Sequence, residues 1–445
     1  MTHKTTRRHF LKTTATAGAS IIILKDLLAN ESPNEKIAFA SVGLGGKGLS
    51  DSGDAANSGE MVAVCDTNRH QLNGALGRFE NAKPFEDYRV MFDEMGDKID
   101  AFTVTTSDHM HGIISAHGMK LGKHCFCQKP LTRTVYEARR LGEIAREMNV
   151  VTQQGNQGSA DSGLRERSMM VRAGILGDVK EVYIWTSHPV WPQGAPRGQA
   201  ADAPPDYVNW DSWIGVAPMR PFIYGSYDPF SWRGWWDFGT GALGDNACHS
   251  WNLPYAGLDL TDLVAVQAVT SGHDHDYFPK WTVAEFEFAA KPWRPGLKLI
   301  WMDGGKKPDP ALLDGHAPVD NGHLIVGEKG KLYGHDFLGI PNTEIDEFQK
   351  KADYPRSSGH FSEFAEAIRE NNPAKCWANF PNHAAPVAEA ALAGNLAVWG
   401  ASEPEVMGPR VKWDAKTMTI TNDPPDKERM EALVRPTFRE GYEMF

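Results

Sequence analysis

The sequence predicts an α/β domain with a mostly parallel sheet covered on both faces, followed by an α+β domain with an open, largely antiparallel sheet. Three observations carry that expectation. Strand-like and helix-like stretches alternate from residue 36 to residue 154, the rhythm of repeated strand–helix–strand units. Beyond residue 157 the strand-like runs follow one another with few helices between them. The length, 445 residues, exceeds what one hydrophobic core usually organises. Boundaries accordingly fall at 1–33 for a signal and linker, 34–156 for the first domain and 157–445 for the second.

Each element has its own local signal. The apolar run over residues 37–42 enters the glycine loop Gly43-Leu44-Gly45-Gly46-Lys47-Gly48, and a helical stretch over 47–58 leaves it. Further strands are predicted at 61–65, ending at Asp66, and at 101–105, 124–127 and 150–154, with helices over 69–79, 88–95, 111–121 and 135–148. The pattern changes at Gly155-Asn156-Gln157-Gly158. After it come strands at 179–187, 263–270, 282–288, 297–301 and 324–326, then helices over 361–369 and 385–397 that complete the second domain.

The N-terminus carries Thr6-Arg7-Arg8-His9-Phe10-Leu11-Lys12 ahead of an apolar stretch over 13–24 that is too short to span a bilayer. This reads as a twin-arginine export signal, whose translocon moves folded proteins. The chain is therefore expected in the periplasm or held on the outer face of the inner membrane, since no clean cleavage site surrounds Leu27, Leu28 and Ala29. The net charge of −11 and the absence of a Lys/Arg run after residue 12 argue against nucleic acid or an anionic membrane as partner. A small molecule fits better. Cys65, Cys125, Cys127, Cys248 and Cys376 are an odd, sparse set, read as buried thiols; they form neither a disulfide framework nor a metal-ligand spacing.

A strand before the glycine loop, a helix after it and an acidic residue at the end of the next strand make the setting of a Rossmann dinucleotide-binding fold. Gly43 permits the turn, Gly45 with Gly46 lets a pyrophosphate approach the backbone, and Gly48 lets helix and strand pack. The helix N-terminus meets the negative charge. Asp66 would accept hydrogen bonds from the adenosine ribose and repel a 2′-phosphate, favouring NAD over NADP, although Arg69 stands nearby.

With those residues in place the chain resembles the Gfo/Idh/MocA oxidoreductases over nearly its whole length after the signal. Besides the fingerprint, the resemblance rests on Thr106-Ser107-Asp108-His109-Met110-His111, Cys127-Gln128-Lys129-Pro130 and Asp245-Asn246-Ala247-Cys248-His249. It implies NAD(P)-dependent hydride transfer at a carbinol carbon of a sugar or sugar derivative. It places Thr106, His111, Gln128 and Lys129 in the cofactor cleft, and it implies a homo-oligomer paired through the open sheet face. Two positions depart from the family pattern: Ser107 replaces the proline of Thr-Pro, and Gln128 replaces the glutamate of Glu-Lys-Pro. Losing that glutamate removes a charge that would orient the lysine or the nicotinamide ribose.

Read from the residues alone, Lys129 follows a parallel strand at the carboxyl edge of the sheet, where ligands bind in such folds. Asp245 and His249 are four apart, so a helix projects both from one face. His249 suits proton transfer, Lys129 suits stabilisation of a developing alkoxide, and Asp245 supports either. His109 at a helix start reads equally as a cap. Eight of the fourteen tryptophans fall between Trp185 and Trp251. Among them Trp235 and Trp236 are candidates to stack on a sugar, with Arg233 and Asp237 as polar partners; packing of an irregular segment explains the rings equally well.

An exported enzyme cannot draw on a cytoplasmic NADH pool, so a second reading is a redox-neutral glycosidase or lyase that recycles a tightly bound cofactor. A third is a sensor that binds NAD and sugar without turnover.

Overall fold

Residues 36–194, 203–227 and 230–443 are described by a computed structural model, and the twin-arginine segment lies outside them. The first sheet has six strands in the order β3-β2-β1-β4-β5-β6. They are β1 (Ile37–Val42), β2 (Gly59–Cys65), β3 (Lys83–Phe85), β4 (Ala101–Val104), β5 (His124–Cys127) and β6 (Thr152–Gln154). The pairs β1–β4, β2–β3, β4–β5 and β5–β6 run parallel. Helices α1 (Lys47–Ser58), α2 (Arg69–Leu76), α3 (Tyr88–Met95), α4 (Asp108–Lys120) and α5 (Val135–Met148) connect them. Strand β3 is the element the sequence conceals, being three residues long with Pro84 at its centre.

Register decides what meets at the edge of this sheet. Val42 pairs with Val104, Val104 with Cys127, and Cys127 with Gln154. All four strands therefore end level, and Gly43, Thr105, Gln128 and Gly155 begin loops side by side. The order reverses between β1 and β4, which opens a crevice at their carboxyl ends.

Two glycines hold that edge together. Gly43 adopts φ +84°, and a Cβ there would lie 2.3 Å from the Thr105 carbonyl oxygen. A Cβ on Gly48 would lie 2.1 Å from the Gly43 carbonyl oxygen, so α1 packs against the turn with no room for a side chain.

The second sheet has nine strands in the order β13-β12-β11-β7-β10-β9-β8-β14-β15. Its centre comprises β7 (Val179–Trp185), β8 (Leu263–Thr270), β9 (Thr282–Phe288), β10 (Leu297–Met302) and β11 (Gly322–Gly327). Shorter strands β12 (Lys331–Tyr333), β13 (Asp336–Leu338), β14 (Val411–Asp414) and β15 (Thr419–Ile420) extend both edges. Only β7–β10 is parallel among the described pairs of this sheet. The largely antiparallel, open sheet read from the sequence is thus what the chain forms.

More helices follow β6 than the sequence pattern shows: α6 (Ser162–Arg172), α7 (Trp210–Ile214), α8 (Gly241–Ser250), α9 (Asn252–Leu258), α10 (Asn342–Lys351), α11 (His360–Arg369), α12 (Ala385–Gly400) and α13 (Lys427–Val434). Of these the sequence pattern shows α11 and α12; α7 and α9 are only five and seven residues long and α8 is buried along most of its length, so no amphipathic stripe announces them. Helix α12 has Ala, Val and Leu buried all round. A Cβ on its Gly394 would lie 2.4 Å from the Phe286 ring, so α12 sits flush on the sheet. Its other side meets the first domain, where Arg139 of α5 makes a paired contact with Glu389.

Helix α11, expected in the second domain, in fact covers the first sheet: Phe361 stacks at 4.8 Å on Phe126 of β5 and at 6.0 Å on Phe39 of β1. It is fastened by Arg165 of α6, whose guanidinium forks onto Glu363 at 2.9 Å and 2.9 Å, with both side chains buried. All five cysteines are buried and unpaired.

Gly48→Ala should cost at least about 3 kcal/mol of stability, because the clash is with backbone that cannot move aside. Urea unfolding checks it, and a loss within about 0.5 kcal/mol would contradict the packing described.

Candidate active site

The crevice at the carboxyl edge of the first sheet is built for a dinucleotide. Gly46 precedes α1 and offers no side-chain cap, and the backbone of Gly45 and Gly46 is accessible there, while the Gly48 and Leu49 N–H groups donate back to the Gly45 and Gly46 carbonyls. At the end of β2 the Asp66 carboxylate accepts hydrogen bonds from the Leu44 N–H at 2.7 Å and the Asn68 N–H at 2.8 Å. The side chain thereby braces the glycine loop. Burial raises its pKa, against the lowering effect of those N–H groups. The residues present fit NAD, with an open helix terminus for the pyrophosphate and a carboxylate at the ribose end.

Gln128 departs from the family pattern for a reason visible in the packing. Its side-chain amide donates to the buried Asp51 carboxylate at 3.0 Å, and its amide oxygen accepts from the Lys129 N–H at 3.2 Å. Asp51 also accepts from the Thr105 hydroxyl at 2.9 Å and from the Lys47 ammonium. A glutamate at 128 would set two buried carboxylates against each other. A carboxylate stands instead behind Gln128, on Asp51 of α1.

Lys129 reaches across to the second domain, where its ammonium lies 3.0 Å from both oxygens of Asp245 on α8. Arg233 approaches Asp245 at 3.3 Å and the Asn246 amide donates to it at 3.1 Å. Burial disfavours the Lys129 ammonium, but the Asp245 carboxylate outweighs it and the pKa is raised. Burial likewise disfavours the Asp245 carboxylate, yet Lys129 and Arg233 hold its pKa below the ordinary value. One helical turn on, His249 turns its Nδ1 to the Asn156 side-chain oxygen at 2.9 Å. Burial and then the Lys129 charge push its pKa down to about 4, so the ring is neutral at pH 7.

Two residues that the sequence reading did not assign to the site complete the centre. Asn156, 1 % exposed, follows β6. Asp108 starts α4, accepts from the Thr240 hydroxyl at 3.0 Å with one oxygen, and has no partner for the other. Burial pushes its pKa up to about 7 against the opposing charge of Arg233. Asp108 lies within the motif quoted for the family, and Asn156 stands at the break after the last strand. Neither carries a residue-type signal of its own.

The remaining expected site residues are used in packing. His111 is 1 % exposed, with Nδ1 2.7 Å from the Pro130 carbonyl and Nε2 3.0 Å from the Thr106 carbonyl, so no ring nitrogen is left for a cofactor. The Thr106 hydroxyl donates to the Ser107 carbonyl at 3.2 Å. His109 contacts the Trp213 carbonyl at 3.0 Å and packs on Trp213 and Phe238. Trp235, fully buried, packs at 4.1 Å on Tyr277, and Trp236 stacks at 3.7 Å on Phe278. Neither indole has a free face for a sugar, because Trp235 belongs to a small core of the irregular segment and Trp236 to the main core of the protein. Asp237 pairs with Arg220 at 2.7 Å. Of that group only Arg233 stands at the centre, its guanidinium 4.2 Å from the Trp232 ring centroid.

A family model described as an oxidoreductase family, NAD-binding Rossmann fold, matches residues 37–156, and the model of that family's C-terminal alpha/beta domain matches 183–443. A D-glucoside 3-dehydrogenase of Escherichia coli (strain K12) is 26% identical over 140 residues, 32% of this chain and 38% of that one. A dTDP-3,4-didehydro-2,6-dideoxy-alpha-D-glucose 3-reductase of Actinomadura kijaniata is 27% identical over 161 residues, 36% of this chain and 46% of that one. The matched stretch thus spans less than half the length of these relatives. Among solved structures, the WlbA dehydrogenase of Bordetella pertussis in complex with NADH and UDP-GlcNAcA superposes with a TM-score of 0.55 at 18% identity, covering 84% of this chain and 99% of that one. An aldose-aldose oxidoreductase from Caulobacter crescentus complexed with glycerol gives 0.54 at 16% identity, covering 83% and 98%.

Asp245→Asn should drop the Lys129 pKa below its ordinary 10.5, since desolvation then acts without the opposing charge. NMR titration of methylated lysines reads this directly; an unchanged value would show that the pair does not control Lys129.

Proposed function

We propose, from the premise that the chain belongs to the Gfo/Idh/MocA oxidoreductase family, that it is an NAD-dependent enzyme acting on a carbinol carbon of a sugar or sugar derivative. The observation that carries this reading is the Lys129–Asp245 contact with His249 one turn away, at the sheet edge that begins with the glycine loop. Bound NAD supplies a hydride acceptor there. The neutral His249 ring takes the hydroxyl proton of the substrate, and the Lys129 ammonium stabilises the oxygen as negative charge develops on it. Asp245 keeps that ammonium charged and aimed, while Arg233 offers hydrogen-bond donors to neighbouring hydroxyls.

Two features favour the redox-neutral variant, in which a retained cofactor accepts a hydride and returns it within one cycle. Residues 206–209 lie against residues 67–70, which follow Asp66 at the end of β2. The Asn209 N–H donates to the Thr67 carbonyl at 2.8 Å, and the Arg69 N–H to the Tyr207 carbonyl at 2.9 Å. Tyr207 packs on His70 at 4.3 Å, beside the end of β2 where Asp66 stands. Such a strap hinders nucleotide exchange. The twin-arginine segment supports the same reading, since a protein exported folded would carry its cofactor out.

Incubation of purified protein with aryl glycosides and no added NAD separates the two forms. Aryl alcohol release without NADH supports cleavage, NADH accumulation once NAD is supplied supports oxidation, and neither, across a sugar panel with NAD present, refutes both. His249→Gln should lower kcat by about 100-fold or more. The sign of the pH effect follows from the neutral ring being the active form in oxidation. Activity holds above the His249 pKa and falls as pH drops through about 4. A shallower inflection near 7 belongs to Asp108 and should vanish in Asp108→Asn. Rate profiles of wild type and variant check both limbs.

A further inference from the structure

We infer that Asn156 is the positioning residue that fixes which nitrogen of His249 carries the proton, an assignment that deepens the proposed function and rests on it. The argument starts from the Asn156 amide itself. Its nitrogen donates to the Cys248 carbonyl at 2.5 Å, and a carbonyl can only accept, so the orientation of the amide is settled. The side-chain oxygen is therefore what faces His249, 2.9 Å from Nδ1. An amide oxygen cannot donate, so Nδ1 must carry the hydrogen. In a neutral ring this leaves Nε2 as a lone pair. The proton acceptor that the reaction needs is thereby placed on Nε2.

The location of Asn156 gives the contact a second consequence. It leaves β6 on the edge of the first sheet, whereas Cys248 and His249 belong to α8 of the second domain. Both hydrogen bonds run from one buried side chain to two consecutive residues of that helix. The amide ties the base to the nucleotide-binding edge while selecting its tautomer. No other described hydrogen bond reaches the His249 ring.

The charged and titratable groups that act on His249 are Lys129 from the loop after β5, Asp245 on its own helix, and His188 from the loop after β7. Lys129 and His188 oppose a proton on the ring and Asp245 favours one. Asn156 is uncharged. Replacing it with aspartate gives up the bond to the Cys248 carbonyl but sets a carboxylate beside Nδ1, and should favour the imidazolium.

The test uses the full-length protein labelled with nitrogen-15 at histidine, with the His249 signals assigned from a His249→Gln spectrum. In wild type at pH 7 the Nδ1 resonance should be that of a protonated nitrogen and Nε2 that of a bare one. Asn156→Asp should move the His249 titration upward by a unit or more, with the acidic limb of kcat/KM moving by the same amount. Asn156→Ala should lose the tautomer preference and lower kcat with little change in KM. A protonated Nε2 in wild type, or a His249 titration unmoved by Asn156→Asp, overturns the inference even if both variants fold poorly or the enzyme is inactive on every sugar. Conversely, the expected spectra with no turnover of any sugar would leave the tautomer assignment standing and remove the enzymatic reading.

Discussion

The contact between Lys129 and Asp245 is the constraint on which the rest of the centre depends. Two charges are taken out of water and set 3.0 Å apart, an arrangement that costs several kcal/mol in desolvation per ion and is tolerable only with good geometry and further hydrogen bonds. Asp245 receives those from Arg233 and Asn246. The two partners come from different sheets, so the pair fixes where the second domain sits against the nucleotide edge. Leaving either charge alone would strand the other in a medium that cannot solvate it. The opposite pKa directions of the two groups express one fact: each keeps the other ionised where burial would neutralise it.

Around this pair lie groups whose charge burial suppresses. His249 is held unprotonated by burial and by Lys129, and burial raises the Asp108 pKa to about 7, leaving it only part ionised at pH 7. Gln128 takes a position where a third carboxylate would face Asp51. Asp51 and Asp245 are each paired with a lysine. That leaves a histidine whose affinity for a proton is weak enough to release it again.

The support for α8 comes from far along the chain. Asn395 of α12 donates to the Thr240 carbonyl at 3.0 Å just before α8 begins, and Thr240 in turn donates to Asp108. Helix α12 is wedged between α5 and the second sheet because its small apolar residues allow close approach on both sides. The tryptophan-rich stretch plays the same supporting part. Trp210, Trp213, Trp232 and Trp235 cluster with Tyr227, Phe238 and Tyr277 into a core of their own, Trp236 and Trp251 join the main core, and the guanidinium of Arg233 reaches the centre from this stretch.

The sequence by itself determined the nucleotide edge and the lysine, aspartate and histidine of the centre. Strand ends, glycines and i,i+4 spacing are local properties, and backbone sterics force the turn at Gly43 and the close packing at Gly48 wherever that pattern occurs. Tertiary structure alone decided what surrounds them. Asn156, Asp108 and the segment 206–209 derive their roles from partners 93, 132 and about 140 residues away. The fate of Trp235 and Trp236 was decided the same way, because an indole reads alike in sequence whether its face meets a sugar or a tyrosine. Composition shows that a ring wants to leave water; only the fold says what it finds there.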